Sequence, residues 1–263
     1  MSRTVIIDGD ILVYRVSEAL TENWDLESEE DEEFVYQTIS WGNKAQAENQ
    51  ILKMIEDIKK KTKSKEYIIC LSDTENFRKE LNPNYKGNRK SVKPVLWKFL
   101  REYIREKHPS LMCKQLEADD VIGILATSKK LIQGERVIWS LDKDFKTIPC
   151  VFFRGDEKPV KITEAEADWW FMYQTLIGDS TDGYKGCKGI GDKTARKILG
   201  KIGENSCKKM WNLVKNSYEK MGFTEEEALL NARMARILRK SDYDFKNKKV
   251  KLWNDERNNN DNR

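Results

Sequence analysis

Nine carboxylates stand where runs of strand-forming residues end or helical patterns begin: Asp8, Asp73, Glu117, Asp119, Asp120, Asp142, Asp144, Asp179 and Asp182. The chain holds one histidine, His108, and its cysteines at 70, 113, 150, 187 and 207 fall into no CxxC or other metal-ligand spacing. Acids massed without imidazole or thiolate partners suit a hard cation such as Mg²⁺, which takes oxygen ligands and neutralises phosphate charge. This points to metal-dependent phosphodiester chemistry. A single histidine leaves little room for a Ser-His-Asp or Cys-His pair, and no GxxxxGK[ST] phosphate loop occurs.

The motifs differ in how much they say alone. In LEADDVIG (116–123), Glu117, Asp119 and Asp120 lie where a loop enters a helix, and taken alone a helix cap with acids in its first turn is the simpler account of them. In LDKDF (141–145), the two-residue spacing of Asp142 and Asp144 points both acids to one side if the strand continues; a surface turn is the plain alternative. GDSTDGYKGCKGIGDKTARKIL (178–199) is more specific. Its glycines at 186, 189 and 191 predict a tight hairpin between helices, whose following amides, around Asp192 to Ala195, can grip a phosphate. Lys185, Lys188, Lys193, Arg196 and Lys197 surround it with positive charge, a helix–hairpin–helix pattern for sequence-independent backbone contact through Lys188, Gly189, Gly191, Lys193 and Thr194. PNYKGNRKSVK (83–93) sets Tyr85 among Lys86, Arg89, Lys90 and Lys93, as suits stacking on a base beside phosphate contacts, although a solvated loop has the same composition. Asp10 reads as the N-cap of the helix after Asp8, His108 as a helix C-cap, and Trp169 and Trp170 as core.

These residues need strands to carry them. TVIID (4–8), EYIICLS (66–72), RVIWSLD (136–142) and VFFR (151–154) are short β-branched and aromatic runs. Helical periods lie between them, at Ile51, Ile55 and Ile58, then from Val92 to Tyr103, then at Val121, Ile124 and Leu125. Strands alternating with helices predict an α/β fold with a doubly wound, mainly parallel sheet, whose ligands bind beyond the carboxyl ends of the strands. From Thr163 the pattern becomes helical, over 163–178, 192–202, 206–221 and 224–239, with Thr224 and Glu227 in capping-box spacing. The division expected is a core at 1–162 with a basic segment near 83–107, a helical region at 163–253 holding the hairpin at 186–200, and a disordered tail at 254–263.

At 263 residues the chain can bury a sizeable core, and its net charge of +4 does not by itself identify a polyanionic partner. Distribution says more. Residues 22–33 carry eight acids in twelve positions, to which no role is assigned, whereas Lys79 to Lys93 is rich in lysine and arginine with one glutamate. No apolar run approaches the roughly 20 residues of a membrane span, and the cysteines suggest no disulfide framework, so a reduced, cytosolic protein is expected.

The order of these segments resembles the 5′ nuclease superfamily of flap endonucleases and polymerase-linked 5′ exonucleases. It is most similar to the stand-alone 5′ to 3′ exonucleases of short-tailed bacteriophages, through NPNYKGNRK, LEADDVIG, DKDFKTIP, ADWW with GDSTDGY, and MARIL (234–238). The resemblance implies a PIN-like 5′ nuclease core and two Mg²⁺ or Mn²⁺ ions. Asp8, Asp73, Glu117 and Asp119 would hold one ion, Asp142, Asp144 and Asp182 the other, with Asp120 and Asp179 in or just behind these sets. Lys86 and Arg89 would match cations at the base of an arch over the site, and 186–197 a hairpin that often holds K⁺ in the superfamily. It implies a metal-dependent 5′–3′ exonuclease on duplex DNA with 5′ ends, with RNA–DNA hybrids as further substrates and Lys86, Asp8 and Asp119 central to catalysis. If phage-encoded, it would act in the host cytoplasm beside replication proteins that the sequence does not identify. A structure-selective flap endonuclease, a non-catalytic nucleic-acid-binding protein and a PIN-type ribonuclease are the alternatives; the filled acidic positions speak against the second, and the length and hairpin against the third.

Overall fold

The computed structural model describes residues 2–26, 35–40, 42–87 and 93–255. In chain order the elements are β1 (Arg3–Asp8), α1 (Gly9–Ala19), β2 (Thr21–Leu26), β3 (Val35–Ser40), α2 (Lys44–Thr62), β4 (Glu66–Cys70), α3 (Arg78–Leu81), α4 (Trp97–Lys107), β5 (Ser110–Leu111) and α5 (Ala118–Thr127). There follow β6 (Glu135–Ser140), β7 (Cys150–Arg154), β8 (Val160–Ile162), α6 (Glu164–Ile177), α7 (Asp192–Leu199), α8 (Cys207–Lys220), α9 (Glu225–Ala235), β9 (Tyr243–Asp244) and β10 (Lys249–Val250).

Val5, Ile6 and Ile7 are apolar on both faces of β1, which makes it the centre of the sheet: β4 pairs with it on one side and β6 on the other, both parallel. The full order is β5-β4-β1-β6-β7-β8, with only β8 antiparallel. The chain lays β4 and β5 on one side of β1 and then crosses to β6 and β7 on the other, a reversal that opens a crevice beyond the carboxyl ends of β1, β4 and β6. α1, α2 and α4 cover one face through Leu12, Val16, Ile51, Ile55, Leu100 and Ile104. α5 covers the other through Val121, Ile122 and Leu125, each such side chain contributing about 1.5–3 kcal/mol by burial. α6 to α9 pack around their own centre of Trp169, Phe171, Trp211 and Tyr218.

The mainly parallel sheet agrees with expectation, and several boundaries do not. α4 begins at Trp97 and not near Val92, which lies outside the described residues; Pro94 disfavours helical backbone at the residue before it. α7 stops at Leu199 because Gly200 turns into left-handed backbone at φ 73°. α9 ends at Ala235, four residues early, because tertiary partners claim the next backbone groups: Arg78 donates to the Arg236 carbonyl at 2.6 Å, and Leu238 N donates to Asp120 at 3.1 Å. The capping box at Thr224 and Glu227 forms. β2 and β3, unforeseen, pair antiparallel from Thr21 with Ser40 to Leu26 with Val35, so the acidic window begins in a hairpin strand; its residues 27–33 lie outside the described residues. The same holds for residues 256–263 of the expected tail.

Candidate active site

Three strand ends and one helix start deliver the acids. Asp8 terminates β1, Asp73 follows β4, Asp142 follows β6, and Glu117 caps α5, whose first turn carries Asp119 and Asp120. Asp179 and Asp182 arrive from the connection between α6 and α7, where Asp179 pairs with Tyr184 in an isolated β-bridge.

Asp8 is only 3 % exposed. It accepts from Ile11 N at 3.1 Å and from the buried Ser140 hydroxyl at 2.7 Å. Ser140 Oγ in turn accepts from Asp142 N at 3.0 Å, so one hydroxyl ties the ends of β1 and β6 together. Burial, with Asp10 and Asp142 nearby, pushes the Asp8 carboxyl up to about 7. Asp119 is pushed well above the usual range by burial and by the charges of Asp8 and Asp142, and no hydrogen bond among the described residues satisfies its side chain. Asp144 is raised to about 7 by burial and then by Asp142, with Asp179 and Asp182 adding to it. Asp142 therefore faces two groups of like charge: Asp8 with Asp119, and Asp144 with the pair from the connection.

Glu117 is held differently. Burial opposes its charge, but Arg78 and Lys86 outweigh burial and hold the carboxyl down at about 2. It accepts from Tyr85 OH at 2.9 Å and Arg78 Nη1 at 3.1 Å, and Lys86 Nζ donates to its other oxygen. Lys86, in left-handed backbone at φ 54°, also donates its amide to the Asp182 carbonyl at 2.9 Å and reaches the Asp182 carboxylate at 3.8 Å. Lys86 thus sits between Glu117 and Asp182, and not at the Asp73 end of β4. Asp73 accepts from Thr74 N and Gln115 N, both at 2.8 Å.

As the side chains stand, no three His, Cys, Asp or Glu among the described residues form a group ready to hold an ion. Glu117 and Asp73 are turned toward protein donors. The donor set nonetheless fits a hard divalent cation: every candidate atom is a carboxylate oxygen, Asp119 has no hydrogen-bond partner among the described residues, and burial beside Asp8 and Asp142 disfavours its charged form in the absence of a cation.

A family model for the 5′–3′ exonuclease N-terminal, resolvase-like domain matches residues 3–155, which span the sheet from β1 to β7 and seven of the nine acids. The chain belongs to the 5′–3′ exonuclease family. The exonuclease of Escherichia phage T7 is 34% identical, covering 95% of this chain and 92% of its own. The exodeoxyribonuclease of Enterobacteria phage T3 is 33% identical over the same shares. Among solved structures, the bacteriophage T5 flap endonuclease, in a complex with DNA and metal ions, superposes with a TM-score of 0.60 at 16% identity, covering 89% of this chain and 88% of its own, which supports the fold.

Within this exonuclease three residue assignments change. Asp120 is completely buried and gives both oxygens to Arg78, at 2.7 and 2.8 Å, so it cannot also face an ion; it anchors the arginine that touches Glu117. Tyr85 is 3 % exposed and aims its hydroxyl at Glu117 and, at 3.3 Å, Asp182, so it cannot stack on a base. The N-cap of α1 is Asp8 itself, while Asp10 pairs with Arg101. His108 stands at the C-cap of α4, and Trp169 is buried.

The basic residues fall in two places. Lys93 is exposed with its ammonium 5.1 Å from the Trp97 ring, while Arg89 and Lys90 lie outside the described residues. Lys188, Gly189, Gly191, Lys193 and Thr194 form an exposed patch at the end of the connection and the first turn of α7. The expected tight hairpin is a longer excursion over residues 178–191, closed where Gly186 N approaches the backbone of Gly178; a Cβ on Gly186 would come within 2.4 Å of Gly178 N. One segment thus carries two acids at its start and the lysine patch at its end. Sequence reasoning missed Arg78, Ser140 and Ser72, whose partners are 42, 132 and 46 residues away and leave no local pattern.

Proposed function

We propose that this exonuclease hydrolyses duplex DNA from 5′ ends in a reaction requiring two Mg²⁺ or Mn²⁺ ions, with the RNA of RNA–DNA hybrids as a further substrate. The observation that carries the reading is Asp119: an acid without a hydrogen-bond partner among the described residues, beside Asp8 and Asp142, at the crevice beyond the central strands. Asp8, Asp73, Glu117 and Asp119 are the candidate holders of one ion and Asp142, Asp144 and Asp182 of the second, with Asp179 orienting Asp182 by accepting its amide at 3.2 Å. The ions supply activation of the attacking water and neutralisation of charge on the phosphate.

The chain's own groups do the rest. Lys86, paired with Glu117 and Asp182, would offer its ammonium to the scissile phosphate, a contact worth about 3–4 kcal/mol in the transition state. Ser140 keeps Asp8 and Asp142 in register. The exposed amides and lysines at 188–194 grip the duplex backbone, with K⁺ as a candidate ion at the hairpin, and residues 163–253 act as the holding region behind the core at 1–162. Lys93, with Arg89 and Lys90, guides the 5′ strand. Grip on backbone and not on bases gives polarity without sequence preference.

The test is digestion of 5′-labelled and 3′-labelled duplex, nicked, flap and RNA·DNA substrates with Mg²⁺, and with EDTA as control. Products released from 5′ ends only, and only with the metal, are expected. Single internal cuts on flaps with no action on duplex ends would make flap endonuclease the better description, and activity in EDTA would end the metal reading.

A further inference from the structure

Behind the acids lies a second polar cluster that no step above uses. Arg101, on the face of α4 turned toward the sheet, donates to the Asp10 carboxylate through Nη1 and to the Ser72 carbonyl through Nη2 at 2.5 Å. Its guanidinium lies 4.7 Å from the ring of Trp97, one turn earlier on α4. Asp10 takes a second bond from Ser72 N at 3.3 Å, and the Ser72 hydroxyl accepts from Ala118 N at 2.8 Å.

Each member adjoins a carboxylate of the site. Asp10 is two residues from Asp8, Ser72 precedes Asp73, and Ala118 lies between Glu117 and Asp119. The arginine side chain is 11 % exposed, so its charge is largely withdrawn from water and is met by the Asp10 carboxylate and a backbone oxygen. Such a group keeps its place when the elements around it keep theirs.

We infer that Arg101, with Asp10 and Ser72, is a positioning strut that fixes the ends of β1 and β4 and the start of α5 relative to one another, and so sets the affinity of the acidic site for its divalent ions. The strut touches neither substrate nor reacting atoms. It acts on the carboxylates through the backbone that carries them, one bond further out than the hydrogen-bonded neighbours of metal ligands, whose removal costs about 10–100-fold in metal affinity or activity. The inference rests on the metal reading given above.

Mn²⁺ binding to the full chain without DNA, followed by the electron paramagnetic resonance of free Mn²⁺, separates the two. Arg101→Ala and Asp10→Asn are each expected to weaken Mn²⁺ binding by about tenfold, the lower end of that range. The double variant should be no weaker than the worse single one, because both changes remove one device. Exonuclease turnover should recover at high Mn²⁺ with the DNA KM within about twofold of the parent, a rescue that general destabilisation does not produce. Asp119→Asn is the reference: if it binds Mn²⁺ like the parent chain, the metal reading fails. If Asp119→Asn loses binding while folded Arg101→Ala and Asp10→Asn keep the parent affinity, the strut is overturned. Should Arg101→Ala not fold, Asp10→Asn, nearly isosteric with the parent, decides alone.

Discussion

Arg78 and Asp120 meet in two parallel N–H···O bonds of 2.7 and 2.8 Å, with their side chains 3 % and 0 % exposed. The same guanidinium reaches Glu117 and the carbonyls of Met234 and Arg236. One cation therefore links the start of α5 to the chain leaving α9, and the core to the helical region.

The first prediction follows from that burial. Asp120→Ala should destabilise the protein by about 3–5 kcal/mol in chemical denaturation, because the buried guanidinium loses its bidentate partner and keeps only one oxygen of Glu117 and two backbone carbonyls. Arg78→Met combined with Asp120→Leu should recover a substantial part of the loss. A decrease below about 1 kcal/mol for the single variant, the range of a solvent-exposed ion pair, would show that the pair is solvated in solution.

Much of this was readable in the amino-acid order. β1, β4, β6 and β7 announce themselves as apolar runs, and the acids at their ends follow from parallel topology, since local hydrophobic pattern and short crossovers decide both. The partners of Asp120 and Tyr85 were not readable. Asp120 looks like its neighbour Asp119 in a helix's first turn, and only an arginine 42 residues away separates their roles. Tyr85 among cations looks like a stacking residue, and only tertiary packing against the helical region turns its hydroxyl inward to Glu117. Asp10 was displaced as a cap for the same reason: Asp8 reaches Ile11 N, while α4 brings Arg101 from 91 residues away.

Asp119→Asn and Asp142→Asn are expected to keep duplex affinity within a few fold and to lose cleavage by at least about 10²-fold in single turnover. Near-normal cleavage by either variant in Mg²⁺ would falsify the two-ion assignment.

The raised acids make metal-free stability depend on pH with a definite sign. Asp8 and Asp144 stand at about 7 in the folded protein against an ordinary 3.8. Between those values the folded state holds protons that the unfolded chain has released, so stability falls as pH rises through the window. Glu117, held at about 2, acts oppositely and lower: its contribution is present above its ordinary 4.5 and is lost as pH falls toward 2. The melting temperature in EDTA should therefore decline between about pH 5 and pH 7, and added Mn²⁺ should raise it more at the upper end, where the carboxylates are free of protons. Thermal scans at a series of pH values decide this; a metal-free melting temperature that climbs through the window contradicts it.

Lys86 and Lys93 should separate by kinetic phase. Lys86 is paired with Glu117 and Asp182, whereas Lys93 is exposed beside Trp97. Lys86→Ala should reduce single-turnover cleavage at saturating enzyme by about 10²–10³-fold while affinity stays within a few fold. Lys93→Ala, and Arg89→Ala with it, should weaken binding and leave the saturated rate near normal. A Lys86 variant that binds poorly yet cleaves at the parent rate would reverse the division.

The connection at 178–191 supplies the last prediction. Gly189 occupies left-handed backbone at φ 80°, where a β-branched side chain is strained, and an added Cβ would press on Met221 at 3.0 Å. Lys193 stands exposed in the first turn of α7, next to amides that no backbone carbonyl within the helix can reach. Gly189→Val with Lys193→Glu should weaken binding to all duplex sequences alike. It should also lower the slope of log affinity against log salt by roughly one to two phosphate contacts, each worth about 0.9 in that slope. Asp179 and Asp182 lie on the same connection, so the Gly189→Val change alone should also slow cleavage, whereas Lys193→Glu alone should affect capture only. Fluorescence anisotropy across a salt series, paired with single-turnover rates, separates these effects, and an unchanged salt slope in the double variant would remove this segment as the duplex anchor.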